Sequence, residues 1–162
     1  MNQVISPAPV RHAVTVEAAI ERAFEVFTSQ FGLWWPASHK IGASPMKTAV
    51  IEPRVGGRWY EIGEDGAECQ WGDVLAWEPP HRVLLAWRIG ADWRFDAGLL
   101  TEVEVKFVAL EAGRTRVELE HRLLENMGDA AAAARATFDS DQGWRGILGG
   151  FVEQVRPASR RR

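Results

Sequence analysis

The chain changes its hydrophobic period once, and that change constrains its architecture more than any other feature. From residue 46 to residue 121, apolar and polar residues alternate in short runs. Pro53, Gly56-Gly57, residues 63–66, Pro79-Pro80 and residues 111–114 break them about every 8–14 residues. In the run 100–110, Val103, Val105 and Phe107 oppose Glu102, Glu104 and Lys106. In the run 115–121, Thr115, Val117, Leu119 and His121 oppose Arg116, Glu118 and Glu120. Period two sends successive side chains to opposite faces, so each run has one face to bury. Further strands are expected over 47–52, 58–62, 68–78 and 81–89. After Asp129 the period becomes helical. Trp144, Ile147, Leu148, Phe151, Val152 and Val155 fall at i, i+3, i+4, i+7, i+8 and i+11, a single apolar stripe.

The N-terminal side adds a strand over 10–16, where Val10, His12, Val14 and Val16 alternate. Thr15 is placed to cap a helix with Glu17 in its first turn. Ile20, Ala23, Phe24, Phe27 and Phe31 then make an apolar helical face. Gly32 is expected to stop that helix, and Leu33-Trp34-Trp35-Pro36 to form an aromatic turn or second short helix. The alanine-rich segment 129–138 reads as a short helix. Ser140 is placed to cap the last helix, which Pro157 closes. No repeat or linker divides the chain. The expectation is a lead-in over 1–9, one domain over 10–156 and a basic tail over 157–162. Strands and helices are segregated, so the class is α+β: an antiparallel sheet of about 6–7 strands, two short helices after the first strand, and one long C-terminal helix. A curved sheet covered by a single helix leaves a gap, and such gaps hold ligands.

Composition excludes several chemistries. A chain of 162 residues is one domain long and buries roughly 68–70% of its unfolded surface, enough for a core without disulfide or metal. One cysteine, Cys69, rules out a disulfide framework and multi-cysteine metal sites, and it reads as structural rather than reactive. Net charge is −3, which argues against a nucleic-acid partner. No uninterrupted apolar run is long enough for a membrane span, and no signal-peptide pattern opens the chain, so a cytoplasmic location is expected. Phosphate-cradling glycine motifs, a serine-hydrolase elbow and a H-E-x-x-H helix are all absent. The four histidines (His12, His39, His81, His121) are widely separated, so no metal site and no cofactor are expected. The unusual count is eight tryptophans, rings that suit a core, an interface or a pocket wall.

Four strings carry a family resemblance: GGRWYEIGEDG at 56–66, WGDVLAWEPPHRVLLAWR at 71–88, TEVEVKFVALEAGRTRVELEHRLLE at 101–125, and GWRGILGGF at 143–151. In this order and spacing they resemble the SRPBCC superfamily. Within it they are similar to the domains related to the C-terminal part of the activator of the heat-shock-protein-90 ATPase. The resemblance spans about Val10 to Val155 and implies the helix-grip fold, in which a curved antiparallel sheet wraps a C-terminal helix around a hydrophobic cavity. Such domains serve as carriers, receptors, cyclases and interaction modules, and one fold hosting many roles does not choose among them.

The residues expected on the cavity wall are Trp34, Trp35, Trp59, Trp71, Trp87, Phe107, His121, Trp144, Leu148 and Phe151. Trp34 and Trp35 are expected at one mouth, with Trp93 and Phe95 at the opposite one. His121, on the inward face with Val117 and Leu119, is either a group that binds ligand or moves a proton near neutral pH, or a structural histidine bonded to the loop or last helix. Glu61 shares a face with Trp59. If that face is inward, it is a buried carboxylate suited to acid–base work; if not, it is solvated or salt-bridged, with Arg58, Tyr60 and Ile62 inward. His121 and Glu61 are thus the catalytic candidates. Gly146, Gly149 and Gly150 imply close approach of the last helix to the sheet or a ligand, or a local helix irregularity. The leading function is binding of a small hydrophobic or aromatic ligand. A protein-interaction role follows, on an apolar patch that includes Trp34, Trp35 or Trp77, and then a cyclase or hydrolyase activity. Exposed tryptophan favours a homodimer.

Overall fold

The computed structural model describes residues 8–156. The basic tail at 157–162, the closure at Pro157 and all but the last two residues of the lead-in lie outside the described residues. The strands are β1 (Val10–Val16), β2 (Met46–Ile51), β3 (Arg58–Gly63), β4 (Glu68–Glu78), β5 (Arg82–Trp87), β6 (Thr101–Glu111) and β7 (Arg114–Arg122). The helices are α1 (Ile20–Thr28), α2 (Phe31–Trp34), α3 (Ala131–Phe138) and α4 (Trp144–Val155), with a 3-10 segment, Leu124–Ala130, ahead of α3. All seven strands form one antiparallel sheet in the order β1-β7-β6-β5-β4-β3-β2. Strands β2 to β7 form a meander, joined by short connections except for the longer loop 88–100 between β5 and β6, and β1 closes the far edge beside β7. This is the helix-grip α+β architecture.

The sheet bends where its ladders slip. Register shifts occur at Trp59/Tyr60, Val74/Ala76 and Ala109/Glu111. An extra residue on one strand bends it and increases its twist. Gly72 sits at the centre of this bend. It pairs with Trp59 on one side and with Trp87 on the other. With no side chain at 72, those two rings close over the strand to a centroid separation of 5.5 Å. A Cβ there would also lie 1.7 Å from the Ala86 carbonyl oxygen.

Three boundary expectations are corrected. Thr15 stays in β1 opposite Arg116, and α1 starts at Ile20 behind Ala19, with no side-chain cap. Pairing of β1 continues to Val16, so residues 17–19 make the corner instead. Gly32 does not stop α1, which ends at Thr28, where the side-chain hydroxyl donates back to Phe24 O at 2.7 Å. Gly32 lies inside α2, where a Cβ would meet Thr48 Oγ1 and Ala49 O, so it lets α2 lie against β2. Ser140 bonds Thr137 O and accepts from Gln142 N, fastening the turn before α4, whose N-cap is Gly143. Two of the three glycines of α4 lie close to backbone: a Cβ at Gly150 would lie 2.9 Å from Trp34 O and one at Gly146 would meet Asp141 O, whereas Gly149 faces open space and close approach does not explain it.

Helix α4 packs against β1, α1 and α2. The space between it and the middle of the sheet is filled by rings. Phe27 meets Phe151 at 5.3 Å and Phe107 at 5.9 Å, and Trp34 meets Phe151 at 5.4 Å. The outer face carries paired charges, including Arg82–Glu104 at 2.6 Å and Arg122–Glu102 at 2.9 Å. Among the described residues, no helix is long and apolar enough to cross a membrane.

Candidate functional site

The grip is solid in the middle and open at one end. There, a cavity of about 440 Å³ lies between the β4–β5 face of the sheet, the start of α4 and the loop after α2. Its apolar wall is Trp35, Trp71, Trp87, Trp93, Phe138 and Trp144, backed by Ile41, Ile89 and Ile147. Ser38, His39 and Lys40 from one loop, Thr137 from the end of α3, and Gln142 and Gly143 from the loop that follows it supply the polar part. His39 Nε2–H donates to Gln142 O at 2.7 Å and joins the two loops. A carbonyl accepts only, so Nδ1 of the neutral ring is left to accept from Ser38 Oγ–H at 3.0 Å.

Five indoles close into a circuit. Trp35, Trp71, Trp59, Trp87 and Trp144 touch in turn, at centroid separations of 5.2, 5.6, 5.5, 6.0 and 5.7 Å, the last returning to Trp35. The four that face the cavity all have their N–H turned to protein acceptors: Trp35 to His39 O, Trp71 to Glu61 Oε1, Trp87 to Ile89 O and Trp144 to His121 Nδ1. Their donors are spent, so they offer a guest ring surface.

Of the ten residues expected on the wall, these four, Trp35, Trp71, Trp87 and Trp144, line it. Trp34, Trp59, Phe107, His121, Leu148 and Phe151 do not. All six are buried, the five apolar ones in the packed core, which occupies the space a wider cavity would need. Trp34 and Trp35 are both buried, and Trp77 packs edge-on to Phe24 at 5.1 Å, so these three do not form the exposed patch that the interaction reading requires. Trp93 lies over the same opening as Trp35 rather than at an opposite mouth, while Phe95 is tied back to Ile89 by an isolated bridge. Trp93 is 50% exposed and sits at φ 61°, a rare conformation for a bulky residue and one found at ligand clamps.

The two catalytic candidates stand behind the wall. His121 is fully buried on β7. Trp144 Nε1–H donates to its Nδ1 at 3.1 Å, so the proton of the neutral ring is on Nε2 and points to Thr101 Oγ1 at 2.9 Å. Thr101 Oγ1–H donates in turn to Trp87 O at 2.9 Å. Every hydrogen of this chain is assigned, and burial pushes the imidazole down to a pKa of about 3. His121 therefore holds two wall tryptophans in place and is neutral at pH 7.

Glu61 faces inward, 1% exposed. It is neither solvated nor salt-bridged. Its oxygens accept from Ile41 N at 2.7 Å, Gly42 N at 3.1 Å and Trp71 Nε1 at 2.8 Å. It anchors both the wall loop and a wall indole. Cys69 lies beside it, and burial, together with the charges of Glu61 and Asp65, raises its thiol pKa, which disfavours the thiolate. Among the described residues, no group of three or more metal-ligating side chains converges. The loop residues Ser38, His39, Lys40 and Gln142 carry no periodic signal, which is why sequence patterning did not single them out.

Residues 17–155 match the sequence family described as Activator of Hsp90 ATPase homolog 1-like protein. Among solved structures, the anthrahydroquino-gamma-pyrone synthase Txn09, determined in complex with SUM, is 40% identical, covers 93% of this chain and 98% of its own, and superposes with a TM-score of 0.64. The self-sacrificing resistance protein CalC from Micromonospora echinospora is 36% identical over 91% of this chain and 93% of its own, with a TM-score of 0.67. The Aha1 dimer from Colwellia psychrerythraea, 15% identical over 92% and 96% with a TM-score of 0.60, shares the fold. No curated protein matches the chain. With nearly all of the described chain inside the family match, and two solved relatives at 40% and 36% identity, the protein belongs to the Activator of Hsp90 ATPase homolog 1-like family of the SRPBCC superfamily, a domain of ligand-binding type.

Proposed function

We propose that the protein binds a flat, fused-ring aromatic molecule in the cavity at the open end of the grip. The observation that carries this reading is the wall itself: four indoles whose N–H groups are satisfied by protein, leaving only π-faces and edges toward the opening. Each ring–ring contact is worth about 0.5–1.5 kcal/mol beyond area burial, so a planar guest gains from several at once while a flexible chain does not. The 40% identity to a synthase named for an anthrahydroquino-gamma-pyrone, a fused-ring system, supports the same ligand class. Isothermal titration with 2-(hydroxymethyl)anthraquinone is expected to give one saturable site. Trp93→Ala, at a half-exposed position, is expected to weaken it about five- to tenfold without unfolding the chain. Absence of a saturable heat, or equal affinity for palmitate, overturns the reading.

One observation favours a second reading, acid–base chemistry on the bound ring system. His39, unlike His121, lines the cavity, with an orienting carbonyl on Nε2 and a hydroxyl on Nδ1. This reading predicts that the protein accelerates exchange of the C10 protons of anthrone in deuterated water by about a hundredfold, and that His39→Gln abolishes the effect. Equal exchange rates with and without protein, followed by proton NMR, reject it.

A further inference from the structure

The aromatic cavity contains one ammonium. Among the described residues, Lys40 is the only Lys, Arg, Asp or Glu on the wall. Its Nζ donates to Gly42 O at 2.6 Å, a bond that folds the side chain back onto its own loop and uses one of three N–H donors. No carboxylate among the described residues pairs with it. The guanidinium groups of Arg82, Arg88 and Arg122, in contrast, each sit on a carboxylate outside the cavity. Glu61, on strand β3 behind this loop, has its oxygens taken by Ile41 N, Gly42 N and Trp71 Nε1. The ammonium is therefore anchored, belongs to a half-buried residue of a largely aromatic wall, and has no paired carboxylate among the described residues.

A cation in that setting attracts an anion more strongly than it would in open water, because the rings exclude solvent and lower the local dielectric. It also imposes a geometry, since a charge-assisted hydrogen bond is short and directional. We propose that the cavity selects fused-ring ligands that carry an anionic group, a carboxylate or an ionised phenol, and that Lys40 pairs with that group while the indoles hold the ring plane. This inference rests on the ring-binding reading above and names the ligand class within it. Lys40 is a specificity residue: the rings supply contact area, and the ammonium decides which edge of the ligand enters beside residues 38–42.

The test is a matched pair of probes, anthraquinone-2-carboxylate and anthraquinone-2-carboxamide, which share rings and shape and differ in charge. Titration calorimetry on the full chain at low salt is expected to show the carboxylate binding about tenfold more tightly. Lys40→Met is expected to bring the ratio close to one by weakening the carboxylate alone, with the amide affinity unchanged. Lys40→Arg is expected to keep the preference. Equal binding of both probes by the native protein overturns the charge selection and leaves the ring pocket standing. Parallel weakening of both probes in Lys40→Met also overturns it, because a loop defect would act on either ligand. If neither probe binds the native protein, the ring pocket fails, and this inference with it.

Discussion

Stability is expected to fall as the pH drops from about 6.5 toward 3, with His121 as a large single cause. Burial holds its folded-state pKa at about 3, against about 6.5 for an unfolded histidine. Between those values the unfolded chain takes up a proton and the folded chain does not, so acid favours unfolding. The contribution is fully present above pH 6.5 and is lost on the way down, by about 3 kcal/mol at pH 4 and about 4–5 kcal/mol near pH 3. The structural reason is specific. A second ring proton would have to sit on Nδ1, against the Trp144 Nε1–H that now donates to it. Carboxylates add to the same trend. The hydrogen bond from Arg11 leads in holding Glu120 below the ordinary carboxylate range, and that stability too is lost in acid. His121→Gln separates the two sources. Glutamine can accept from Trp144 through its oxygen and donate to Thr101 through its nitrogen, but it does not titrate. Urea unfolding at pH 7 and pH 4 is expected to show a drop in the native protein that is about 3 kcal/mol larger than in the variant. Equal drops would remove His121 as the cause.

Replacing Glu61 is expected to destabilise the protein more than any surface change. Its carboxylate serves two backbone donors and one indole in a dry site. Glu61→Leu leaves all three without an acceptor, at about 1–3 kcal/mol for each buried group and about 4 kcal/mol in total once the loop relaxes. Glu61→Gln keeps one oxygen but turns an NH2 toward a donor, for a loss of about 2 kcal/mol. Buried ion pairs can often be replaced by apolar groups at little cost, because both partners leave together. Here the partners are the N–H groups of Ile41, Gly42 and Trp71, which remain. The same change frees the Trp71 ring and the 38–42 loop, so weaker binding of ring ligands should accompany the lower urea midpoint. A Glu61→Leu variant as stable as the native chain would show that the three bonds carry little.

Period-two runs and the turn residues that bound them located the seven strands to within a residue or two, and the long runs at 100–110 and 115–121 also showed which face turns inward. The strand 68–78 matches β4 in full, and 10–16 matches β1. Helix ends were less legible. Thr15 and Ser140 have good capping chemistry, but strand pairing claims the first and the turn at residues 137–142 claims the second. The inward side of β3 was also beyond the sequence, since a one-residue slip exchanges Glu61 for Tyr60, and the register depends on the bulge at Trp59/Tyr60. Half of the cavity lies on loops. Ser38, His39 and Lys40 meet Gln142 through the bond from His39 to Gln142 O, a contact between positions far apart in the chain. Identifying inward rings was not enough to find the wall, because most inward rings fill the core and only one end stays open.

The closed circuit of five indoles has an optical consequence. Rings whose centroids lie within 5.2–6.0 Å of each other share excited-state energy faster than they emit it. Light absorbed by Trp59, deep in the core, can therefore be lost at Trp35 or Trp87 on the wall. A guest that touches one of these rings and accepts its excitation energy is expected to quench the emission of the group, and the coupled transitions are expected to give the near-ultraviolet circular dichroism a collective signature. The protein carries its own antenna around the cavity, and the emission of that antenna is expected to change when a ring ligand enters.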